Sequence, residues 1–139
     1  MKVEIRPASP EEIEEQRRIA STALALSPGA LQGMRPEWTL CAFENGNLAT
    51  SYAAWPLTMR FNGAGFPVAG VTAVGTLPVY RRRGYLRKIM NSHFNYLHES
   101  GGQSITVLVA SLAAIYQRYG YAVVSTRNSY NVEPRYLQF

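Results

Sequence analysis

Cysteine is nearly absent, with Cys41 alone among 139 residues. A single thiol excludes an intramolecular disulfide and any cysteine-based zinc cluster, so no metal site is expected and the chain must hold itself together by burial. Cys41 stands in an apolar run, Leu40 to Phe43, whose neighbours raise a thiol pKa, so it reads as core filler and not as a nucleophile. Long hydrophobic runs are missing too: nothing approaches the ~18 consecutive apolar residues of a membrane span. With 47% hydrophobic and 17% charged residues, the composition is that of an ordinary soluble globular protein with no membrane partner. The start, Met1-Lys2-Val3-Glu4-Ile5-Arg6, lacks the basic opening and apolar centre of a signal peptide, and together with the lone thiol this points to the cytoplasm. No repeat, linker or low-complexity segment interrupts the pattern, and the length suits a single domain, residues 1–139.

Acidic residues are the scarcer charge, 9 against 14 basic, for a net charge of +5. Such a total suggests nucleic acid only if the charge spreads along a face. Here Arg81, Arg82, Arg83, Arg87 and Lys88 fall within one short segment, whereas Glu11, Glu12, Glu14 and Glu15 crowd the first helix. The aromatics are not interleaved with the basic residues as a single-strand platform requires, so no nucleic-acid partner is expected. The positive charge is a focus.

Around that focus the pattern gives an element order. Lys2 to Arg6 reads as a strand. Ser9-Pro10-Glu11-Glu12 then supplies an N-cap, a proline at the first helical position and a glutamate three past the cap. Ile13, Ala20, Ala23 and Leu24 share one face of the helix that follows, and Ser27-Pro28-Gly29 stops it. Strands are expected over Trp38 to Phe43, Leu48 to Phe61 and Phe66 to Leu77, an antiparallel meander turning at Glu44-Asn45-Gly46-Asn47 and Asn62-Gly63-Ala64-Gly65. From Arg82, apolar residues recur at three- and four-residue intervals (Leu86, Ile89, Met90, His93, Phe94, Leu97) until Ser100-Gly101-Gly102, a helix of about four to five turns. Ser104 to Ala110 reads as a strand covered on both faces, Ser111 to Arg118 as a short helix, and Tyr121 to Val124 and Arg127 to Val132 as closing strands. The fold class is therefore α+β: a mixed, mostly antiparallel sheet with helices on both faces and one strand-helix-strand crossover.

The chemistry concentrates where strand Val71 to Leu77 feeds Pro78-Val79-Tyr80-Arg81-Arg82-Arg83-Gly84-Tyr85-Leu86 and the helix beyond. A tight turn at a helix N-terminus leaves backbone N–H groups unpaired where the helix dipole favours an anion. Glycine at 84 permits close backbone approach, and the arginines add charge-assisted hydrogen bonds. A basic helix start with no anion to bind would oppose the dipole, which makes it the weaker reading. A pyrophosphate suits the site.

These residues resemble the cofactor motif of the GCN5-related N-acetyltransferases, a strand followed by Arg/Gln-x-x-Gly-x-Gly/Ala at a helix start. Leu86 departs from the usual small residue, and Arg81-Arg82-Arg83-Gly84-Tyr85-Leu86-Arg87 is similar to the enhanced-intracellular-survival subfamily of bacterial acetyltransferases. Val71 to Pro78 looks like that subfamily's cofactor strand. Ala110-Ser111-Leu112-Ala113-Ala114-Ile115-Tyr116-Gln117-Arg118-Tyr119-Gly120-Tyr121 looks like its Ser-x-x-x-Ile-Tyr-x-Arg-Phe/Tyr-Gly-Tyr segment. The resemblance is close over roughly residues 66–133 and extends to the first half by element order. It implies an enzyme using acetyl-CoA (coenzyme A). Val74 and Thr76 would offer backbone groups to the pantetheine arm, and Arg81, Arg82, Arg83, Gly84, Tyr85 and Leu86 would hold the pyrophosphate by main chain. Ser111 would lie beside the cofactor, and Tyr116 would be the general acid.

Transfer from a thioester needs an uncharged amine, a polarised carbonyl and a proton for the leaving thiolate. A phenol of pKa ~10 can supply that proton. The base is less determined. The similar subfamily consists of longer proteins in which a C-terminal domain supplies a carboxylate to the amine site, so no base carries over to a residue here. Of the titratable candidates, Glu44 beside its turn and His98-Glu99 near a helix end read as solvated groups, and His93 on the apolar helix face as a core histidine. Trp38, Trp55, Met34 and Met59 could line an acceptor pocket or serve the core. The resemblance implies an amine acceptor, a small molecule or a protein, with self-association left open. A module that binds acyl-CoA without turnover is the alternative.

Overall fold

The computed structural model describes residues 2–27 and 29–136, so Pro28, one of the expected helix-stop residues, lies outside them. The chain divides into two compact units, Met1–Val109 and Ala110–Phe139. In the first unit, five strands lie in the order β1-β2-β3-β4-β5: Val3–Arg6, Cys41–Glu44, Asn47–Phe61, Ala64–Thr76 and Ile105–Leu108. Neighbours pair antiparallel except β4 and β5, which are parallel. That parallel step is the expected crossover, made by helix α2, Tyr85–Ser100. Two asparagine-glycine pairs turn the meander. Asn45 and Gly46 have φ of 50° and 84°, and Asn62 and Gly63 have 50° and 90°, the doubly left-handed geometry that matches strand twist in a two-residue hairpin. The second turn is shorter than the expected Asn62 to Gly65 because β4 already begins at Ala64.

The start of the first helix is tighter than its capping signal suggests. Pro10–Glu12 forms a turn of 3-10 helix before helix α1, Ile13–Leu24, while the Ser9 backbone N–H donates to Glu12 Oε2 at 2.8 Å. Strand β2 also begins later than expected. Pro36–Trp38 is 3-10, and Thr39 makes an isolated bridge with Ala53.

The two long helices cover opposite faces of the sheet. Side chains alternate along a strand, and adjacent residues of β3 divide accordingly: Ser51 accepts from Gln16 Nε2 of α1 at 2.8 Å, whereas Tyr52 bonds His93 Nδ1 of α2 at 2.6 Å. Strand β2 behaves alike, with Phe43 clustered with Ile19 of α1 and Glu44 bonded to Tyr85 of α2. Hence all four β2 residues are buried. Helix α1 lies very close to β4, since a Cβ added at Gly75 would stand 2.6 Å from the Ala23 Cβ. Cys41 is fully buried, and burial pushes its thiol up to about 11, which bears out its core role.

The second unit contains helix α3, Ala113–Gln117, and a 3-10 turn at Pro134–Tyr136. The strands expected at Tyr121 to Val124 and Arg127 to Val132 are not formed; residues 121–133 carry neither helix nor strand. Val124 is 94% and Tyr130 83% exposed. Valine and tyrosine favour strands only where a ladder partner and a half-buried surface reward them, and among the described residues no such partner pairs with this segment.

The Glu12 carboxylate ties the first strand to the first helix, accepting from Arg6 Nη1 at 2.7 Å and Nη2 at 2.8 Å. That pairing holds its pKa down from 4.5 to about 2, with the Ser9 backbone N–H assisting against burial. A carboxylate depressed on folding contributes stability that is present above its unfolded pKa and is lost as pH falls through the folded one. Glu12→Gln should therefore melt below the wild type at pH 6, with the gap shrinking between pH 4.5 and 2; thermal melts across that range would show it, and a gap independent of pH would discard the linkage.

Candidate cofactor site

Beyond Val71, paired with Leu108, strand β4 runs on to Thr76 with no further pairing to β5 among the described residues. On its other side it stays on β3, through Ser51 with Gly75 and Thr50 with Thr76. A bulge marks the separation: the β3 register shifts between Ser51 and Ala53, and Ala73 has φ of +53°. Ser51 Oγ, which accepts from Gln16, in turn donates to the Ala73 carbonyl at 2.7 Å. Past the bulge the Leu77 N–H donates to Ala49 of β3. Because backbone groups alternate in direction along a strand, those of Val74 and Thr76 face the opened β5 side. The Thr76 carbonyl accepts from Arg81 Nε at 3.2 Å.

The chain then makes a 3-10 turn, Pro78–Tyr80, and enters α2 through Arg81 to Gly84. Gly84 at φ +78° is the residue before the helix and contributes no side-chain cap. Arg82 is also left-handed, at φ +63°, a conformation costing a non-glycine residue on the order of 1 kcal/mol and concentrated at ligand clamps. Left-handed residues in a turn belong to the backbone geometry that builds anion-binding concavities. The first bond within the helix runs from Lys88 N–H to the Gly84 carbonyl, so the N–H groups of Tyr85, Leu86 and Arg87 are those an α-helix leaves without an internal partner. A Cβ on Gly84 would meet no atom within 4 Å. Free amides and open space at one helix end are the chemistry an anion such as a pyrophosphate requires.

The basic side chains play unequal parts. Arg83 turns inward: its Nη1 donates to both Glu44 oxygens at 2.7 and 2.8 Å, its Nη2 to the Val79 carbonyl at 3.0 Å, and its Cζ lies 5.4 Å from the Tyr80 ring centroid. Tyr85 is 2% exposed and its hydroxyl donates to Glu44 Oε2. Arg82, Arg87 and Lys88 make no side-chain hydrogen bond or ion pair among the described residues. Leu86 is half-buried.

Ser111 and Tyr116 belong to the second unit. Ser111 is exposed, before α3. Tyr116 is half-buried on α3, its ring edge-on to Tyr121 at 5.8 Å and 68°. Burial, reinforced by Tyr121 and Tyr119, raises its pKa, so the phenol keeps its proton through neutral pH.

The remaining titratable candidates divide. His98 and Glu99 are exposed. His93 is buried against Tyr52, with burial lowering its pKa, as a core histidine should be. Glu44 is not the solvated group its turn suggested; it is 9% exposed and bonded to both Arg83 and Tyr85. Sequence spacing could not bring these together, since its partners lie 39 and 41 positions away. Met34 and Trp38 join the core cluster of Ala20, Leu31, Ala53 and Ala73, and Trp55 Nε1 lies 3.4 Å from Met34 Sδ. Met59 is half-buried.

Known proteins share this fold. The family model of the acetyltransferase (GNAT) domain matches residues 4–124. An uncharacterised N-acetyltransferase of Streptomyces avermitilis is 41% identical over 61 residues, 44% of this chain and 15% of that protein. The structure of Eis1 from Mycobacterium abscessus superimposes with a TM-score of 0.77 at 29% identity, over 86% of this chain and 31% of that one. A predicted acetyltransferase from Clostridium acetobutylicum solved with acetyl-CoA shares the fold, with a TM-score of 0.70 at 17% identity, over 94% of this chain and 96% of that one. The curated relatives are much longer than the matched region, which takes in 15% of the first. A match running from β1 past the turn at Gly84 and α3, on a sheet of the same architecture, places this chain in the GCN5-related N-acetyltransferase family.

Proposed function

We propose that this chain is an acetyl-CoA-dependent N-acetyltransferase that moves the acetyl group directly to an amine acceptor. The observation that carries the reading is the helix start at Gly84: three amides without a helical partner, a left-handed approach through Arg82, and uncommitted cationic side chains at one end of α2. The match to an acetyltransferase solved with acetyl-CoA supports the choice of anion.

In this reading Arg81 to Leu86 hold the pyrophosphate through main-chain N–H groups, with Arg82 adding charge. Val74 and Thr76 offer backbone groups to the pantetheine arm along the unpaired side of β4, and Ser111 lies beside the cofactor. Acetyl-CoA supplies an acyl group activated as a thioester. Tyr116 is the general acid, giving its proton to the departing sulfur, and the burial that raises its pKa keeps that proton in place until it is needed. A small-molecule or protein amine is the acceptor.

Coenzyme A should raise the melting temperature, since a ligand held only by the native state stabilises it by about 2.7 kcal/mol at a hundredfold excess over Kd. Gly84→Asp should abolish the shift, whereas Gly84→Asn, equally able to adopt φ > 0 but uncharged, should keep part of it. An undiminished shift in folded Gly84→Asp would move the pyrophosphate elsewhere.

Arg82→Glu should weaken coenzyme A binding more at low salt than at high salt, because the screened part of its attraction is lost. Arg87→Glu, one turn into the helix, should cost less. Titration calorimetry at two ionic strengths separates a site from a diffuse patch: equal losses for the two variants indicate the patch.

Tyr116→Phe should leave coenzyme A affinity nearly unchanged and lower kcat by about 10²–10⁴-fold, the range of a lost proton donor. In the wild type kcat should hold through neutral pH and fall only as pH rises through the raised phenol pKa. That descending limb should vanish in the variant. Thiol release followed across a panel of amines provides the readout, and near wild-type kcat in Tyr116→Phe, with chemistry rate-limiting, removes the assignment.

A further inference from the structure

We propose that Glu44 is a positioning residue for the cofactor turn: its carboxylate, delivered by the end of β2, fixes the residues on either side of Gly84 so that the open amides at the start of α2 are held ready for a pyrophosphate. The inference rests on the reading of that turn as the coenzyme A site.

The geometry is specific. Glu44 accepts both of its guanidinium bonds from Arg83 and a further bond from the Tyr85 hydroxyl. Gly84 stands between those two residues and has no side chain with which to fix itself. Glycine takes many backbone conformations freely, so nothing in its own chemistry fixes the left-handed one it has here, while that of Arg82 persists only if surrounding contacts over-determine it. The turn has its own local ties, Arg83 Nη2 to the Val79 carbonyl and Arg81 Nε to the Thr76 carbonyl, but both lie before Gly84 and within the same segment. Among the described residues, Glu44 alone links the side chains of the residue before the glycine and the residue after it to another strand. That strand end is firm: the Asn45 N–H donates to the Lys2 carbonyl at 2.9 Å and Asn45 Oδ1 accepts from the Lys2 N–H at 3.0 Å.

The charge bookkeeping makes the idea testable by sign. Glu44 is an anion near a site meant for anions, so if it acted only through its field, neutralising it would strengthen coenzyme A binding. If it acts by holding the turn, neutralising it weakens binding although a repulsive charge has gone. Loss of preorganisation is paid for at the moment of binding. A positioning effect also persists at high salt, where a field effect fades.

The experiment measures coenzyme A affinity by calorimetry for the wild type, Glu44→Gln, Tyr85→Phe and the double variant, at two ionic strengths, with melting temperatures of the free proteins and amide exchange over residues 81–87. Glu44→Gln should bind about tenfold more weakly at both ionic strengths, the scale of one hydrogen bond to a charged group. Exchange should accelerate at 82–86 while the later turns of α2 stay protected. The double variant should lose less than the product of the single losses, since both act through one carboxylate. Tyr85→Phe, which keeps the Arg83 pair, should show a smaller loss and tests the idea even if Glu44→Gln fails to fold. Unchanged or tighter binding in folded Glu44→Gln, or additive losses, overturns the proposal while leaving the cofactor site standing. A wild type that does not bind coenzyme A overturns both.

Discussion

Three backbone N–H groups at the start of α2 have no acceptor within their helix, and the surrounding structure keeps them available. An α-helix of sixteen residues concentrates partial positive charge at its first turn, and chains commonly close that end with a serine, threonine or aspartate. Here the position before the helix is glycine, the first turn carries no acid, and arginines surround it. In the proposed reading an anion from outside is the partner that resolves this arrangement. Strand β4 feeds the turn, β2 ties it down, and α1 packs on β4 from the opposite face of the sheet.

The bulge at Ala73 serves the same end. A regular strand would expose its β5-side groups only where β5 failed to extend, and the next chain segment could recapture them. The bulge makes β4 depart from β5 while its bond network to β3 and α1, through Ser51 and Gln16, remains intact. Gly75 lets α1 come near enough to support the displaced strand. Support on one edge and freedom on the other is what a strand needs if a ligand arm is to lie along it.

What was legible in the sequence was local. Asn45-Gly46 and Asn62-Gly63 specify their hairpins through positive φ, and the spacing from Leu86 to Leu97 specifies α2 through its buried face, because in both cases the deciding interactions lie within a few residues. The turn that leads into α2 through Gly84 was legible for the same reason. Glu44 was not: a glutamate before Asn-Gly looks solvated until the meander and the crossover bring Arg83 and Tyr85 to it. Nor was the irregular course of residues 121–133, where valine and tyrosine advertise strands that only a neighbouring ladder could confirm. The role proposed for Tyr116 rests on a motif, and its pKa shift follows from burial and from neighbours that spacing alone could not place against its ring.

The arginine cluster shows why counting charge overstates a site. Of the five cations between 81 and 88, Arg83 is neutralised by Glu44 and Arg81 directs its Nε to a carbonyl, which leaves Arg82, Arg87 and Lys88 uncommitted. A site built mainly on long free cations would bind any polyanion, with an affinity that collapses in salt. One built on fixed amides, with a cation spent on holding the backbone, selects the shape of its anion and gives up some raw attraction to do so. In the proposed reading Arg83 belongs with the frame: its charge is used to fix where the amides of its neighbours point, and only through them does it bear on a pyrophosphate.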